Sequence, residues 1–292
     1  MTARKSSQLQ GILLLLLALA CFATLDSSAK YLSLTIPVMM VMWFRYLFQA
    51  LAMSVVILPT RGWRSLRTNH PWLHLLRGVL LLSTSTLAFF SLSLMPVGEF
   101  TAIILLTPMV TTLLAAVFLK ESVNALRWLL VAGGFCGALL VAQPGGTAAG
   151  WIVLLPLGCT MSNSLYQILT SRMTRTEDPL TLNFYSGWVG ALAVCATLPW
   201  IWQPVAGPAS WALLCLVGAT GTLGHFMLGA AFGRAPASML APYLYVQIGF
   251  ATLAGWLVFG HVPGLLEFAG IALIAACGSA AAWLAARLPR PA

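Results

Sequence analysis

Charged residues are scarce in this chain. Only 7% of its 292 residues are Asp, Glu, Lys or Arg, whereas a soluble domain carries roughly 25%. The six acidic and fifteen basic residues make twenty-one charges, too few to cover the surface of a water-soluble protein of this length, and 60% of the residues are hydrophobic. The composition therefore excludes a soluble protein and predicts a polytopic membrane protein whose partner is the lipid bilayer.

Sequence motifs of catalysis and metal binding are also missing. The chain has no HExxH, Walker or DxxD motif, and none of its six cysteines forms a CxxC pair. All six cysteines fall inside apolar segments, where a cysteine behaves as a small buried hydrophobic residue. The sequence therefore predicts that the protein is not an enzyme and holds neither a metal ion nor another cofactor.

Ten apolar segments have about the length that a membrane-spanning helix needs, which is about 20 residues. The connections between them are short and leave no room for a soluble domain. The predicted fold is therefore all-α and integral to the membrane, with ten transmembrane helices. These helices are expected at 11–31, 37–58, 72–94, 97–118, 126–142, 150–171, 180–201, 209–231, 238–259 and 264–285.

The basic residues are distributed unevenly between the two sides of this ten-helix arrangement. With the N-terminus inside, 13 of the 15 Lys and Arg residues fall on the inner side, Arg77 among them, and only Lys30 and Arg45 lie in the outer half. Cytoplasmic loops of membrane proteins are enriched in Lys and Arg. We expect a protein of the bacterial cytoplasmic (inner) membrane with both termini in the cytoplasm. The net charge of +9 then needs no nucleic-acid partner, and a monomer is consistent with the sequence.

The two halves of the chain carry an internal repeat. When the first half is shifted by 140 residues, Pro96 falls on Pro236, and no gap is needed from about 82 to 142. Because each half holds five helices, an odd number, the second half would insert upside down. Inverted repeats are typical of secondary transporters, whose substrate site lies near the membrane midplane between the repeats. The predicted domains are an N-terminal five-helix repeat, 1–146, and a C-terminal inverted repeat, 147–292.

Several stretches resemble the EamA type of the drug/metabolite transporter superfamily. They are "FSLSLMPVGEFTAIILLTPMVTTLLAAVFLKE" at 90–121, "MWFRYLF" at 42–48 and the paired five-helix units. Among these proteins the chain looks most like the YddG-type aromatic amino-acid exporters. The resemblance implies a central cavity surrounded by helices 1, 3, 4, 6, 8 and 9. Helices 2 and 7 would be peripheral, and helices 5 and 10 would pack to one side.

Polar and aromatic side chains on these cavity helices are the candidate substrate contacts, because polar groups inside a bilayer are costly and often functional. The alternative is packing, since hydroxyl and small side chains are also common at helix contacts. The substrate cavity is predicted to be lined by Phe89, Asn163, Tyr166, His225, Tyr243 and Gln247.

Two further pairs of residues stand out inside the predicted helices. Asp26 and Arg45 lie about 9 Å and about 12 Å below the outer ends of their helices, at 1.5 Å per residue, and these matching depths predict an ion pair. The pair would act as a structural clamp or take part in transport. Pro108 and Pro242 are expected to kink their helices and allow gating, because neighbouring groups or cavity water can satisfy the carbonyls that a proline leaves free.

The expected function is export of small amphipathic metabolites by alternating access, above all of aromatic or large apolar amino acids. An exporter of lipophilic cationic drugs is an alternative, but it calls for an accessible mid-membrane carboxylate. A phosphorylated substrate calls for cavity Lys or Arg, for which only Lys30 and Arg45 qualify. A non-transporting membrane scaffold or channel subunit is the alternative from a different class. Facilitated movement and proton exchange are both left open.

Overall fold

The computed structural model describes residues 2–68, 70–94, 103–104, 106–120, 123–142, 150–259 and 264–287. These residues are helical or lie in short connections, and no strand occurs among them. Helices suit an apolar chain, because every backbone hydrogen bond is then made within the segment. Ten helices of twelve or more residues are present in this part of the chain: α1 (Thr2–Leu32), α2 (Val38–Arg61), α3 (Pro71–Leu94), α4 (Thr107–Phe118), α5 (Ala125–Ala142), α6 (Leu154–Met173), α7 (Pro179–Cys195), α8 (Gly207–Phe232), α9 (Val246–Phe259) and α10 (Leu265–Arg287).

Six helical segments of the described chain are long and apolar enough to cross a membrane. The all-helical membrane fold expected from the composition is thereby confirmed. Three further apolar helices are shorter, and α4 among them begins only at Thr107, after residues 95–102, which lie outside the described part. The predicted total of ten spanning helices stays a prediction. The six long segments are Ser7–Leu32, Val38–Arg61, Pro71–Ser91, Trp151–Met173, Gly207–Phe232 and Ala237–Val258.

Pro108 lies at the start of a helix and not inside one. The helix α4 begins at Thr107, so the missing N–H of Pro108 falls in its first turn, where a proline costs little. Two hydroxyl groups of α6 donate to carbonyls in this region, Thr160 to the Ile103 oxygen (3.3 Å) and Ser164 to the Thr107 oxygen (3.4 Å). Pro108 is predicted to kink its helix, but it lies in the first turn of α4 instead. Hydroxyl groups of α6 bind the backbone carbonyls that precede it.

The ninth predicted helix is interrupted near Pro242. A short α-helical turn, Ala237–Leu240, leads into a 3-10 segment, Ala241–Tyr245, and α9 begins at Val246. Pro242 occupies the first turn of the 3-10 segment. Both prolines that were expected to bend helices therefore lie where the helical geometry changes.

The most extensive helix contacts join the two halves of the chain. α1 packs on α8 and α3 on α6, while α2 lies against α7 and α5 against α10. The next most extensive contacts are those of α2 with α8, α1 with α9, α3 with α7 and α4 with α6. The five helices of the first half can be matched in order with those of the second, α1 with α6 and so on to α5 with α10. If each helix is replaced by its match, the same eight helix pairs result. The interior therefore lies between the two halves and not within either one.

Candidate functional site

Two arginines lie inside the helix bundle, and a histidine and a tyrosine connect them. The residues are Arg45 on α2, 7% exposed, and Arg77 on α3, 1% exposed. Nη2 of Arg45 lies 2.7 Å from Nε2 of His225 on α8, and Nδ1 of His225 lies 3.2 Å from the hydroxyl of Tyr166 on α6. Nη2 of Arg77 donates to the same hydroxyl over 2.6 Å. We call these four residues the two-arginine network.

The hydrogen bonds of the network determine which nitrogen of His225 carries the proton. A guanidinium group can only donate, so Nε2 of His225 accepts from Arg45 and carries no proton. The single ring proton is then on Nδ1, which donates to the hydroxyl oxygen of Tyr166. His225 is therefore neutral in this arrangement, and the positive charge of the network belongs to the two guanidinium groups.

Arg77 is almost fully bound by neutral acceptors. Nε donates to Thr170 Oγ1 (2.8 Å), and Nη1 donates to the Leu182 oxygen (2.8 Å) and to Ser186 Oγ (2.7 Å). The guanidinium also lies over the ring of Tyr166, 4.6 Å from its centroid, a favourable cation–π geometry. Arg77 therefore fastens α3 to α6 and α7. Its place in the chain predicts an inner-surface cation, but the structure places it in the core.

Arg45, in contrast, has donors that are not used. Nη1 donates to Ser85 Oγ on α3 (3.2 Å), Nη2 is bound to His225, and Nε is buried without a partner. A guanidinium has five N–H groups, so with two used, three remain among the described contacts. A Cβ on Gly221 of α8 would lie 3.0 Å from Nε. The absence of a side chain at Gly221 therefore makes room for the guanidinium.

Asp26 and Arg45, predicted as a charge pair, make no ion pair within 4.0 Å in the described part of the chain. The guanidinium of Arg45 is directed to Ser85 and His225 instead. Asp26 is exposed, and its Oδ2 accepts a hydrogen bond from Nε2 of Gln247 on α9 (3.4 Å). The two charges still attract each other over a longer distance, and the functional role of the pair stays a prediction.

Two other carboxylates of the described residues lie near basic side chains elsewhere in the protein. Asp178 pairs with Arg61 at 2.7 Å, and Glu177 lies 3.7 Å from Nε2 of His74. No such pair involves the two-arginine network among these residues. A buried charge without a counter-charge is costly unless hydrogen bonds or a ligand offset it. The network therefore holds an excess of positive charge inside an apolar bundle.

The other predicted cavity residues make no described hydrogen bond to the two-arginine network. Phe89 is half-buried and packs against the largest apolar cluster of the core, and Tyr243 is buried there with no hydrogen-bond partner for its hydroxyl. Asn163 is half-buried, and its Oδ1 accepts from Nε2 of Gln167 (3.4 Å). The structure thus unites Tyr166 and His225 in one network, while the roles of the others stay predictions.

The sequence contained a signal for the residue that was missed. Arg77 lies five positions inside the predicted helix 72–94, and a charged residue within an apolar helix marks a functional or buried position. Its closeness to the helix start favoured a surface position, since cations gather at helix ends on the cytoplasmic side. Ser85, which contacts Arg45, had no signal beyond being a hydroxyl residue in a helix.

A bundle of apolar helices with a charged, hydrogen-bonded network inside it is typical of membrane transport proteins. The family model described as the EamA-like transporter family matches residues 9–143 and, a second time, residues 150–279. The chain therefore belongs to the EamA-like transporter family, and it is an integral membrane protein of a bacterial transporter family.

Curated relatives carry the names of several transported solutes. The S-adenosylmethionine uptake transporter of Rickettsia felis is 29% identical over 91% of this chain and 90% of its own length. The riboflavin transporter of Vibrio cholerae is 31% identical over 92% of both chains, and the pseudopaline exporter of Pseudomonas aeruginosa is 26% identical over 91% and 94%. A crystal structure with 18% identity, a TM-score of 0.79 and coverage of 99% of this chain and 100% of the other shares the fold.

These findings confirm the expected superfamily and correct the expected subfamily. The relatives named here transport S-adenosylmethionine, riboflavin and pseudopaline. They do not support the closer resemblance to YddG-type exporters, nor the expected export of aromatic or large apolar amino acids. General likeness in apolar helices is shared by the whole family, because the bilayer imposes it, so it does not separate one substrate from another.

Replacing Tyr166 by Phe tests whether the network stabilises the fold. The change removes the acceptor of Arg77 Nη2 and of His225 Nδ1, and each buried group left unsatisfied costs about 1–3 kcal/mol. We expect a clearly lower unfolding temperature for Tyr166→Phe, measured by thermal unfolding of the purified protein in detergent. Tyr31→Phe, at a position that is 53% exposed, is the matched control and should leave it unchanged. Equal unfolding temperatures for both variants would show that the network contributes little.

Proposed function

We propose that this chain is a secondary transporter that moves a small organic metabolite across the bacterial cytoplasmic membrane by alternating access. The observation that carries the proposal is the two-arginine network, which joins α2 and α3 of the first half to α6 and α8 of the second. Ionisable residues in the interior of a membrane bundle mark solute pathways. A scaffold without transport gives no reason for the unused hydrogen-bond donors of Arg45.

We further propose ten spanning helices in two inverted five-helix repeats, 1–146 and 147–292. Two observations support this: the family model matches each half once, and the principal helix contacts are unchanged when the halves are exchanged. In such an exchange α2 meets its own equivalent, α7, and α5 meets α10. A pseudo-two-fold axis would therefore run from the α2–α7 contact to the α5–α10 contact, in the plane of the membrane.

The predicted cavity residues Phe89, Asn163, Tyr243 and Gln247 are proposed to line the substrate path around the network. Helices that are interrupted near the midplane are a common feature of secondary transporters. The interruptions near Pro108 and Pro242 lie in segments that are equivalent in the two repeats. We therefore propose these segments as the places where the helices bend during gating.

The proposed substrate combines a planar heteroaromatic ring with a polar, hydroxylated part. S-adenosylmethionine and riboflavin, for which relatives at 29% and 31% identity are named, share this chemistry. Aromatic surface is available at the network, where the ring of Phe22 lies 4.8 Å from that of His225. Lipophilic cations that carry no anionic group fit poorly, because the two buried arginines would repel them, whereas S-adenosylmethionine carries a carboxylate beside its positive charges.

Counterflow in proteoliposomes tests the transport function. Vesicles loaded with unlabelled S-adenosylmethionine should take up external labelled S-adenosylmethionine faster than protein-free vesicles, because an alternating-access protein exchanges solute across the membrane. Riboflavin, measured by fluorescence, is the second substrate, and a panel of amino acids is the third. Repeating the assay with and without a pH gradient separates facilitated movement from proton exchange. If no compound of the panel moves faster than in protein-free vesicles, the proposed function is wrong.

Reporter fusions test the inverted repeat and the orientation. A reporter that is active only outside the cytoplasm should be silent when fused after Ala292, because ten spans return the chain to the inside. The same reporter fused near Gly146, after five spans, should be active. Silence of both fusions, or activity at the C-terminus, would contradict five spanning helices in each half.

A further inference from the structure

We infer that Arg45 binds a carboxylate group of the transported solute and that His225, Tyr166 and Arg77 position it for this purpose. The inference rests on the proposed transport function and narrows the substrate class. It favours solutes with a carboxylate, such as S-adenosylmethionine, over riboflavin, which has none.

Arg45 has hydrogen-bond donors that no described residue uses. Arg77 shows how a purely structural arginine is treated in this fold, since four of its five N–H groups are bound and it is 1% exposed. Arg45 is nearly as buried, yet two of its five N–H groups are bound and its Nε has no partner. A planar fork of free N–H groups matches the two oxygens of a carboxylate. The contrast between the two arginines therefore assigns ligand binding to Arg45.

The site around Arg45 carries an excess of positive charge. Two guanidinium groups face no carboxylate within 4.0 Å among the described residues, so an anionic group that enters the site gains their attraction in a low-dielectric interior. The exposed carboxylate of Asp26 lies on α1, which packs on α8 and α9. It is available to a cationic centre of the same solute. A zwitterionic end fits this pair of opposite charges better than a neutral polyol does.

Arg45 contacts one residue from each half of the chain. Its two hydrogen-bond partners, Ser85 and His225, are separated by the same 140 residues that relate the two halves of the sequence. Ser85 on α3 and His225 on α8 are therefore equivalent positions of the two repeats. A group that contacts both lies near the pseudo-two-fold axis, which runs within the membrane midplane in an inverted repeat. Such a group can be reached from either side as the halves move.

Competition in the counterflow assay tests the inference. The probes are S-adenosylmethionine and its decarboxylated analogue, which differ only in the carboxylate. For the parent protein we expect the decarboxylated analogue to compete at least about tenfold less well, in line with the loss of a hydrogen bond to a charged group. In Arg45→Gln the difference should fall to about twofold, and Arg45→Lys should retain part of it. Arg61→Gln, on the same helix but with its side chain 46% exposed, is the matched control and should keep the parent ratio.

The same ratio tests the positioning residues. His225→Gln should reduce the discrimination between the two compounds, whereas a merely structural role would lower the amount of folded protein and leave the ratio unchanged. Thermal unfolding of the parent provides a second readout, in which S-adenosylmethionine should stabilise the protein more than its decarboxylated analogue does.

The outcomes separate the inference from the proposed function. If the parent transports S-adenosylmethionine but accepts the decarboxylated analogue equally well, or if Arg45→Gln keeps the parent discrimination, the role of Arg45 is wrong and transport stands. If the parent transports neither compound, the thermal readout decides. Equal stabilisation of the parent by both compounds, or none by either, would overturn the carboxylate site.

Discussion

The structure depends on how a permanent positive charge is held inside an apolar bundle. A guanidinium group cannot lose its proton in a protein, so Arg77 must find acceptors wherever the fold places it. It finds them on α6 and α7, in Thr170, Ser186, the Leu182 carbonyl and the hydroxyl of Tyr166. These bonds join α3 to α6 and α7 in the interior, and they hold the hydroxyl that accepts a hydrogen bond from His225.

The two arginines perform different tasks because their surroundings differ. Arg77 donates nearly all of its hydrogen bonds to the protein and connects helices. Among the described residues, Arg45 is hydrogen-bonded only to Ser85 and His225, and its other N–H groups are unused. The neutral ring of His225 lies between Arg45 and the hydroxyl of Tyr166, which is bound to Arg77. The bonds of Arg77 therefore help to position Arg45. An anion bound at Arg45 would complete the hydrogen bonding and offset the excess charge in one step. That gives the protein a physical reason to bind solute at the centre of the bundle.

Sequence alone was sufficient for the class of protein and for most helix positions, because the bilayer imposes length and composition on each helix. The predicted helix 37–58, for example, corresponds to α2 at Val38–Arg61. Tyr166 and His225 were also identified, since polar groups in apolar helices are conspicuous. The network itself was not predicted, because its bonds join residues 89 and 180 positions apart and depend on rotation of each side chain about its helix.

The most direct measurement is an experimental structure of the protein with S-adenosylmethionine bound. The account predicts that a carboxylate oxygen lies within hydrogen-bond distance, about 3 Å, of the guanidinium of Arg45, while Arg77 keeps its bonds to α6 and α7. A bound solute whose carboxylate lies elsewhere, with Arg45 still bonded to Ser85 and His225 alone, would contradict it.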